Sequence, residues 1–231
     1  MILPVIICSH NRNKLLKQTI ESLRKNSDSE LQIIISDSSS DEETVKYLES
    51  LDDITYYHFK CTDKQYGPSI GQAKMKGSDL AKPSEYIYFS DDDMYFFPHW
   101  DTIMIKALEK YDDLVIVGGR NLRIFDLEES RPIDETYTVT NMSRQTGYSM
   151  MFRRNEWEKQ PYFPNYDEDS WVGFEFRALL TKNIGTINPP VLIHCGLTRV
   201  SKQNNEPENS KTYDWQDIEQ DMKNYPEILF E

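Results

Sequence analysis

The sequence predicts an α/β fold: a mostly parallel central sheet of Rossmann-like type, flanked by helices, with a smaller mixed part toward the C terminus. Two observations carry that expectation. Short apolar runs alternate with amphipathic helical patterns at spacings of roughly 30 residues, as in parallel strands joined by right-handed crossovers. The run at residues 86–90, Tyr-Ile-Tyr-Phe-Ser, also delivers three consecutive carboxylates, Asp91, Asp92 and Asp93, to its C-terminal end. In open α/β sheets that end of the strands forms the ligand crevice.

The elements follow in order. Residues 5–8 are a first buried strand, stopped by the polar Ser9, His10, Asn11 and Arg12. Asn13 is placed to cap a helix whose Leu15, Leu16, Ile20 and Leu23 share one face. Residues 31–35 are a second strand, ended by a Ser- and Asp-rich turn, and Asp41 caps a helix carrying Val45, Leu48 and Leu51. Residues 54–59 read as a third strand and residues 70–80 as a helix after the Gly67-Pro68 turn. Beyond the strand at 86–90, a helix follows Pro98, with Trp100 expected to pack on the sheet, and residues 114–117 are a strand ended by two glycines.

The second half is less regular. Residues 126–140 are acidic and proline-containing, a loop or hairpin, and residues 148–152 are strand-like. An aromatic-rich loop is expected over 155–171, a helix over 174–184, a last strand over 191–193 and a short amphipathic helix over 215–222. No repeat divides the chain, which reads as one domain over residues 1–231.

A composition of 38% hydrophobic residues supports a packed core and not a disordered chain. The net charge of -13 disfavours a generic nucleic-acid or anionic-membrane surface. No stretch reaches the ~18 apolar residues of a spanning helix, and the opening residues lack the basic region of a signal peptide. Three widely spaced cysteines suggest no disulfide framework, so a reducing cytoplasm is the expected compartment, and Cys8 reads as a small core residue.

Three adjacent acids repel one another. Alone they read more readily as a solvent-facing turn than as a grip on a divalent cation beside a diphosphate. The surrounding segments favour the second reading. In order, VIICSHNR, IIISDSSSDEET, GPSIGQAKMKG, YIYFSDDD, VGG, TGYSMMFRR, YDEDSWVGFEF and LIHCG resemble the landmarks of the family 2-like glycosyltransferases of GT-A fold. The resemblance runs to about residue 200.

It implies a metal-dependent, inverting transfer of a sugar from a nucleotide-sugar, a UDP-sugar favoured, to an acceptor hydroxyl. Residues 1–119 would form the nucleotide-sugar half, 120–200 the acceptor half and 201–231 a polar tail. The resemblance further implies that Asp93 ligates Mn²⁺ or Mg²⁺, that Asp91 faces the ribose or reaches the metal through water, and that Asp92 orients its neighbours. His194, after the last strand, matches a late histidine that supplies a third ligand and tilts preference to Mn²⁺. Asp37 would bond the nucleobase, with Ser9, His10, Asn11 and Arg12 as the other wall. Gly71, Ala73 and Lys74 would allow close approach of the nucleotide, Lys74 reading equally as a solvated charge.

One departure stands out. Where the family carries a Glu-Asp pair, this chain has Glu175-Phe176, so the base falls to Glu175, to Asp169 in a shifted register, or to no dedicated side chain. Trp171 is the expected sugar platform, with Tyr148 beside it. The acceptor could be a surface glycan or another hydroxyl; modified bases in DNA are a lesser expectation, against the charge. Two competing readings remain. A nucleotidyltransferase lacks support because SHNRNK is not a Gly-rich phosphate loop. A non-catalytic nucleotide-sugar-binding module is favoured only by Phe176.

Overall fold

A computed structural model of the chain describes residues 1–39, 41–59, 70–119, 130–142, 149–159, 183–195, 223–224 and 227–229. Strands β1 (Ile2–Ser9), β2 (Glu30–Asp37), β3 (Thr55–His58) and β4 (Tyr86–Asp91) run parallel, separated in sequence by α1 (Asn13–Asn26), α2 (Glu42–Glu49) and α3 (Ile70–Leu80). There follow β5 (Met94–Phe96), α4 (Trp100–Lys110) and β6 (Leu114–Gly118). The rest comprises β7 (Ser130–Pro132), β8 (Thr138–Met142), β9 (Ser149–Arg153), α5 (Arg154–Glu158), β10 (Asn183–Asn188) and β11 (Leu192–His194). The main sheet has the order β3-β2-β1-β4-β9-β6-β10-β8-β7, and β5 pairs with β11 in a separate antiparallel ribbon.

Alternation along the strands divides the core into two layers. Leu3, Val5 and Ile7 of β1 join the face covered by α1 and α4, whereas Ile6 joins Ile34, Ile87 and Phe89 on the other face with Trp157 of α5. Trp100 is fully buried, its ring 4.6 Å from Tyr88 and 4.7 Å from Phe96, as expected of a residue packed on the sheet. Helix α3 approaches β1 so closely that a Cβ on Gly77 would sit 2.4 Å from Ile6 Cγ2. Only glycine fits there without displacing the helix.

The predicted elements are largely present, with specific corrections. Asp41 caps α2 as expected, accepting from Thr44 N at 2.8 Å. Asn13 does not cap α1: Arg12 holds the cap position without a side-chain bond, and Asn13 is the first helical residue, its side chain turned inward. The left-handed backbone of Asn11, φ 53°, makes the turn that brings the chain into the helix there. Strand β9 lies antiparallel between β4 and β6, so the sheet is mixed in its middle. The loop expected from residue 155 begins as the short helix α5. Asn183 and Ile184, assigned to the end of a helix, belong to β10, because Ile184 and Ile187 are buried in pairing with β6 and β8. Cys8 is half-buried and not core, since the end of β1 opens on a cavity.

Candidate active site

The carboxylates sit where β4 gives way to β5. Asp91 ends the strand half-exposed, while Asp92 and Asp93 are 4% and 0% exposed. His194 reaches them because β11 pairs with β5 in a register that sets His194 opposite Met94. Its Nε2 lies 2.9 Å from Asp93 Oδ1 and 3.8 Å from Asp91 Oδ2. One ligand atom from each of Asp91, Asp93 and His194 falls within 4.8 Å of the others. From the opposite side, Arg12 Nη1 pairs with Asp93 Oδ2 and stands 3.4 Å from Asp92 Oδ1, whose Oδ2 accepts from His10 N at 3.1 Å.

Burial governs the charges. It raises the Asp92 carboxyl, and the neighbouring Asp93 raises it further, against Arg12 and the His10 amide. Burial also opposes ionisation of Asp93, yet His194 and Arg12 outweigh it and hold Asp93 below the usual carboxylate range. For His194 burial disfavours the imidazolium; Asp93 and Asp91 overcome that and push it up to about 9. Arg12 and His194 thus offset the carboxylate charge at this corner, and a cation that took His194 as a ligand would have to displace its proton.

These residues fit a hard divalent cation. Two carboxylates from the corner between β4 and β5 and one imidazole from β11 converge, and the buried Asp93 Oδ1 faces His194 Nε2 at 2.9 Å. Such a donor set suits Mn²⁺ or Mg²⁺.

Asp91 and Asp92 also line a cavity of about 440 Å³, walled by Cys8 to Arg12 from the end of β1 and the turn after it, Ser36 and Ser38 from the end of β2 and the turn after it, Phe59, and Ala73 from α3. The size suits a nucleotide-sized ligand. Ser9 and Ser36 both line the cavity, and their hydroxyls are buried with no hydrogen-bond partner among the described residues.

The expected nucleotide residues divide. Ser9, Asn11, Arg12, Asp91 and Asp92 are on the cavity wall. Asp37 is fully buried, accepting from Ser39 Oγ at 2.5 Å, with His58 Nδ1 at 2.9 Å and Tyr56 Oη at 3.3 Å. Gly71 is buried on α3, and Lys74 is completely buried, which removes its reading as a solvated charge. Tyr148, Asp169, Trp171 and Glu175 lie outside the described residues.

Sequence reasoning missed the polar stripe of α1. Thr19 Oγ1 accepts from Met94 N and reaches Asp92 O, each at 2.9 Å; Ser22 Oγ accepts from Phe96 N at 3.2 Å, and Asn26 Nδ2 donates to Phe96 O at 2.7 Å. Thus the helix takes the place of a strand along β5 and fixes the backbone that carries the acids. The signal was the spacing of Thr19, Ser22 and Asn26, a second stripe beside the apolar one.

The chain matches the profile of glycosyl transferase family 2 over residues 5–176. It belongs to that family. This glycosyl transferase family 2 member is similar to the GalNAc(5)-diNAcBac-PP-undecaprenol β-1,3-glucosyltransferase of Campylobacter jejuni, with 32% identity over 111 residues, 47% of this chain and 35% of that protein. The matched part spans about a third of that relative's length. Among solved structures, GalNAc-T7 with UDP, GalNAc and Mn²⁺ aligns with a TM-score of 0.64 at 13% identity, covering 84% of this chain and 44% of that one. The mannosyltransferase PcManGT of Pyrobaculum calidifontis, in complex with GDP-Man and Mn²⁺, gives 0.58 at 18%, covering 81% and 54%. The shared fold is GT-A. No helix among the described residues is long and apolar enough to cross a membrane.

Proposed function

We propose that this chain is the catalytic part of a glycosyltransferase that moves a sugar from a nucleotide-sugar, a UDP-sugar preferred, to an acceptor hydroxyl, with inversion. One observation carries the reading: Asp91 belongs both to the cation cluster and to the wall of the cavity. Asp91, Asp93 and His194 would hold Mn²⁺, or Mg²⁺, and the bound ion would act as a Lewis acid toward the departing diphosphate. Arg12 offers a guanidinium on the same wall, suited to phosphate oxygens. Ser9 Oγ and the turn at Asn11 meet the polar face of the nucleotide. Residues 1–119 thus serve the donor and 120–200 the acceptor.

Glu175 is the proposed base, with Asp169 as its alternative, and Trp171 and Tyr148 would face the sugars. The relative from Campylobacter jejuni, named for a lipid-linked glycan, supports a glycan acceptor. A non-catalytic binding module is the second reading, favoured by Phe176 in place of an acid.

A melting-temperature screen of nucleotide-sugars with and without Mn²⁺ tests the assignment. At a hundredfold excess over Kd, a ligand selective for the folded state adds about 2.7 kcal/mol, a rise of roughly 5–10 °C for a chain of this size. The rise given by the nucleotide should depend on Mn²⁺, adding to whatever Mn²⁺ gives alone, and should vanish in Asp93→Asn. Saturating binding without hydrolysis or transfer would favour the module; no shift with any nucleotide would refute the assignment.

A further inference from the structure

The end of the chain returns to the candidate cation site. Ile228 is 6% exposed and packs with Leu15 of α1 and with Ile193 and Cys195, the two neighbours of His194. Gln18, on the same helix and 9% exposed, grips the backbone of the next residue: its Nε2 donates to Leu229 O at 3.2 Å and its Oε1 accepts from Leu229 N at 2.7 Å. The same Nε2 approaches Cys195 Sγ at 3.5 Å, and Cys195 N donates to Asp93 O at 2.7 Å. A continuous path of contacts therefore runs from Leu229 through Gln18 and Cys195 to Asp93.

We propose that Gln18 and Ile228 are positioning residues: they clamp the C-terminal segment against α1, hold the strand that carries His194, and so set the affinity of the site for its cation. This rests on the cation reading given above. The physical need is clear from the ribbon itself. Strand β11 has three residues and pairs only with β5, itself three residues long among the described residues. So short a ladder does not fix an imidazole by its own hydrogen bonds, and a metal site gains affinity when its ligands are held before the ion arrives. Helix α1 supports the β5 side through Thr19, Ser22 and Asn26. Gln18 and Ile228 do the same for β11. The buried amide of Gln18 bonds both backbone groups of Leu229, in a segment with no strand partner among the described residues, which a purely apolar contact would not require.

Mn²⁺ binding to the full chain, followed by the electron paramagnetic resonance of the free ion, tests this without any turnover. Gln18→Leu and Ile228→Ala should each weaken Mn²⁺ by about tenfold, in line with the loss of groups that orient metal ligands. Ile133→Ala, a core truncation on the far hairpin, is the control; it should lower the melting temperature yet leave the Mn²⁺ Kd unchanged. If the wild type and the control bind Mn²⁺ and both clamp variants bind it as tightly, the clamp is refuted while the cation reading stands. The same holds if Ile133→Ala weakens Mn²⁺ as much as they do. A folded wild type that takes up no Mn²⁺ overturns the cation reading and the clamp together.

Discussion

Asp37 shows how one residue can be half legible. Its position after an apolar strand singled it out in the sequence, and the resemblance gave it a nucleobase. The structure adds three side chains bonded to its carboxylate, those of Ser39, Tyr56 and His58. Burial, then the charge of Asp37, push the Tyr56 phenol up, so it stays a donor. No local pattern announces such a network, since its members come from β2, β3 and the turn between β2 and α2. Removing the carboxylate leaves the buried Ser39 hydroxyl without this partner, a loss that typically costs about 1–3 kcal/mol, and takes a bond from the part-buried Tyr56 and His58. Asp37→Ala is therefore expected to lower the urea midpoint of the ligand-free protein. An unchanged midpoint would confine Asp37 to the nucleotide. Asp91, Asp93 and His194 were named from the sequence, and the structure brings them together; the pairing of Arg12 with Asp92 and Asp93 was not named, because charge patterns along the chain do not reveal partners 80 residues apart.

Elements with dense apolar runs were readable, and α3 spans the residues expected of it. Strand β5 was not, because Met94 to Phe96 is too short to show an alternation and follows directly on the acids. Strand β10 was hidden for another reason: Gly185 and the flanking Asn residues resemble a helix end, while the close approach of Val139 to Gly185 exists only in the folded sheet. The polar face of α1 likewise reads as a solvated surface, yet Thr19 is completely buried. Thr19→Val keeps the shape and deletes the hydroxyl that holds Met94 N and Asp92 O. The expected result is a loss of about 1–3 kcal/mol in urea unfolding, with weaker Mn²⁺ binding because the acid corner loosens. Wild-type stability and affinity in that variant would show that β5 needs no help from the helix.

Across the whole molecule, the far side of the sheet is fastened by charge. Asp113, at the start of β6, takes Arg131 of β7 at 2.8 and 3.0 Å and the side chain of Asn183 at the start of β10. Burial opposes its ionisation, but those bonds prevail and hold its carboxyl below the usual value. A depressed acid stabilises the fold above the unfolded carboxylate pKa of about 3.9 and loses that contribution as pH falls through the folded value. Because the Asp113 side chain is about two-fifths exposed, solvent screening keeps the contribution to about 1 kcal/mol or less. Asp113→Asn should accordingly lower the urea midpoint at pH 7 while narrowing its fall between pH 5 and pH 3; an unaltered acid limb would remove Asp113 from the account.

The strand order has one more result, for synthesis. Strand β9 is made after β6 but inserts between β6 and β4. A ribosome that has released only the first half of the chain therefore presents β4 with an unpaired hydrogen-bonding edge, the kind of surface that recruits chaperones or aggregates. His194 emerges later still, so a nascent chain can complete the cavity wall from β1, β2 and β4 well before it can assemble the cluster of Asp91, Asp93 and His194.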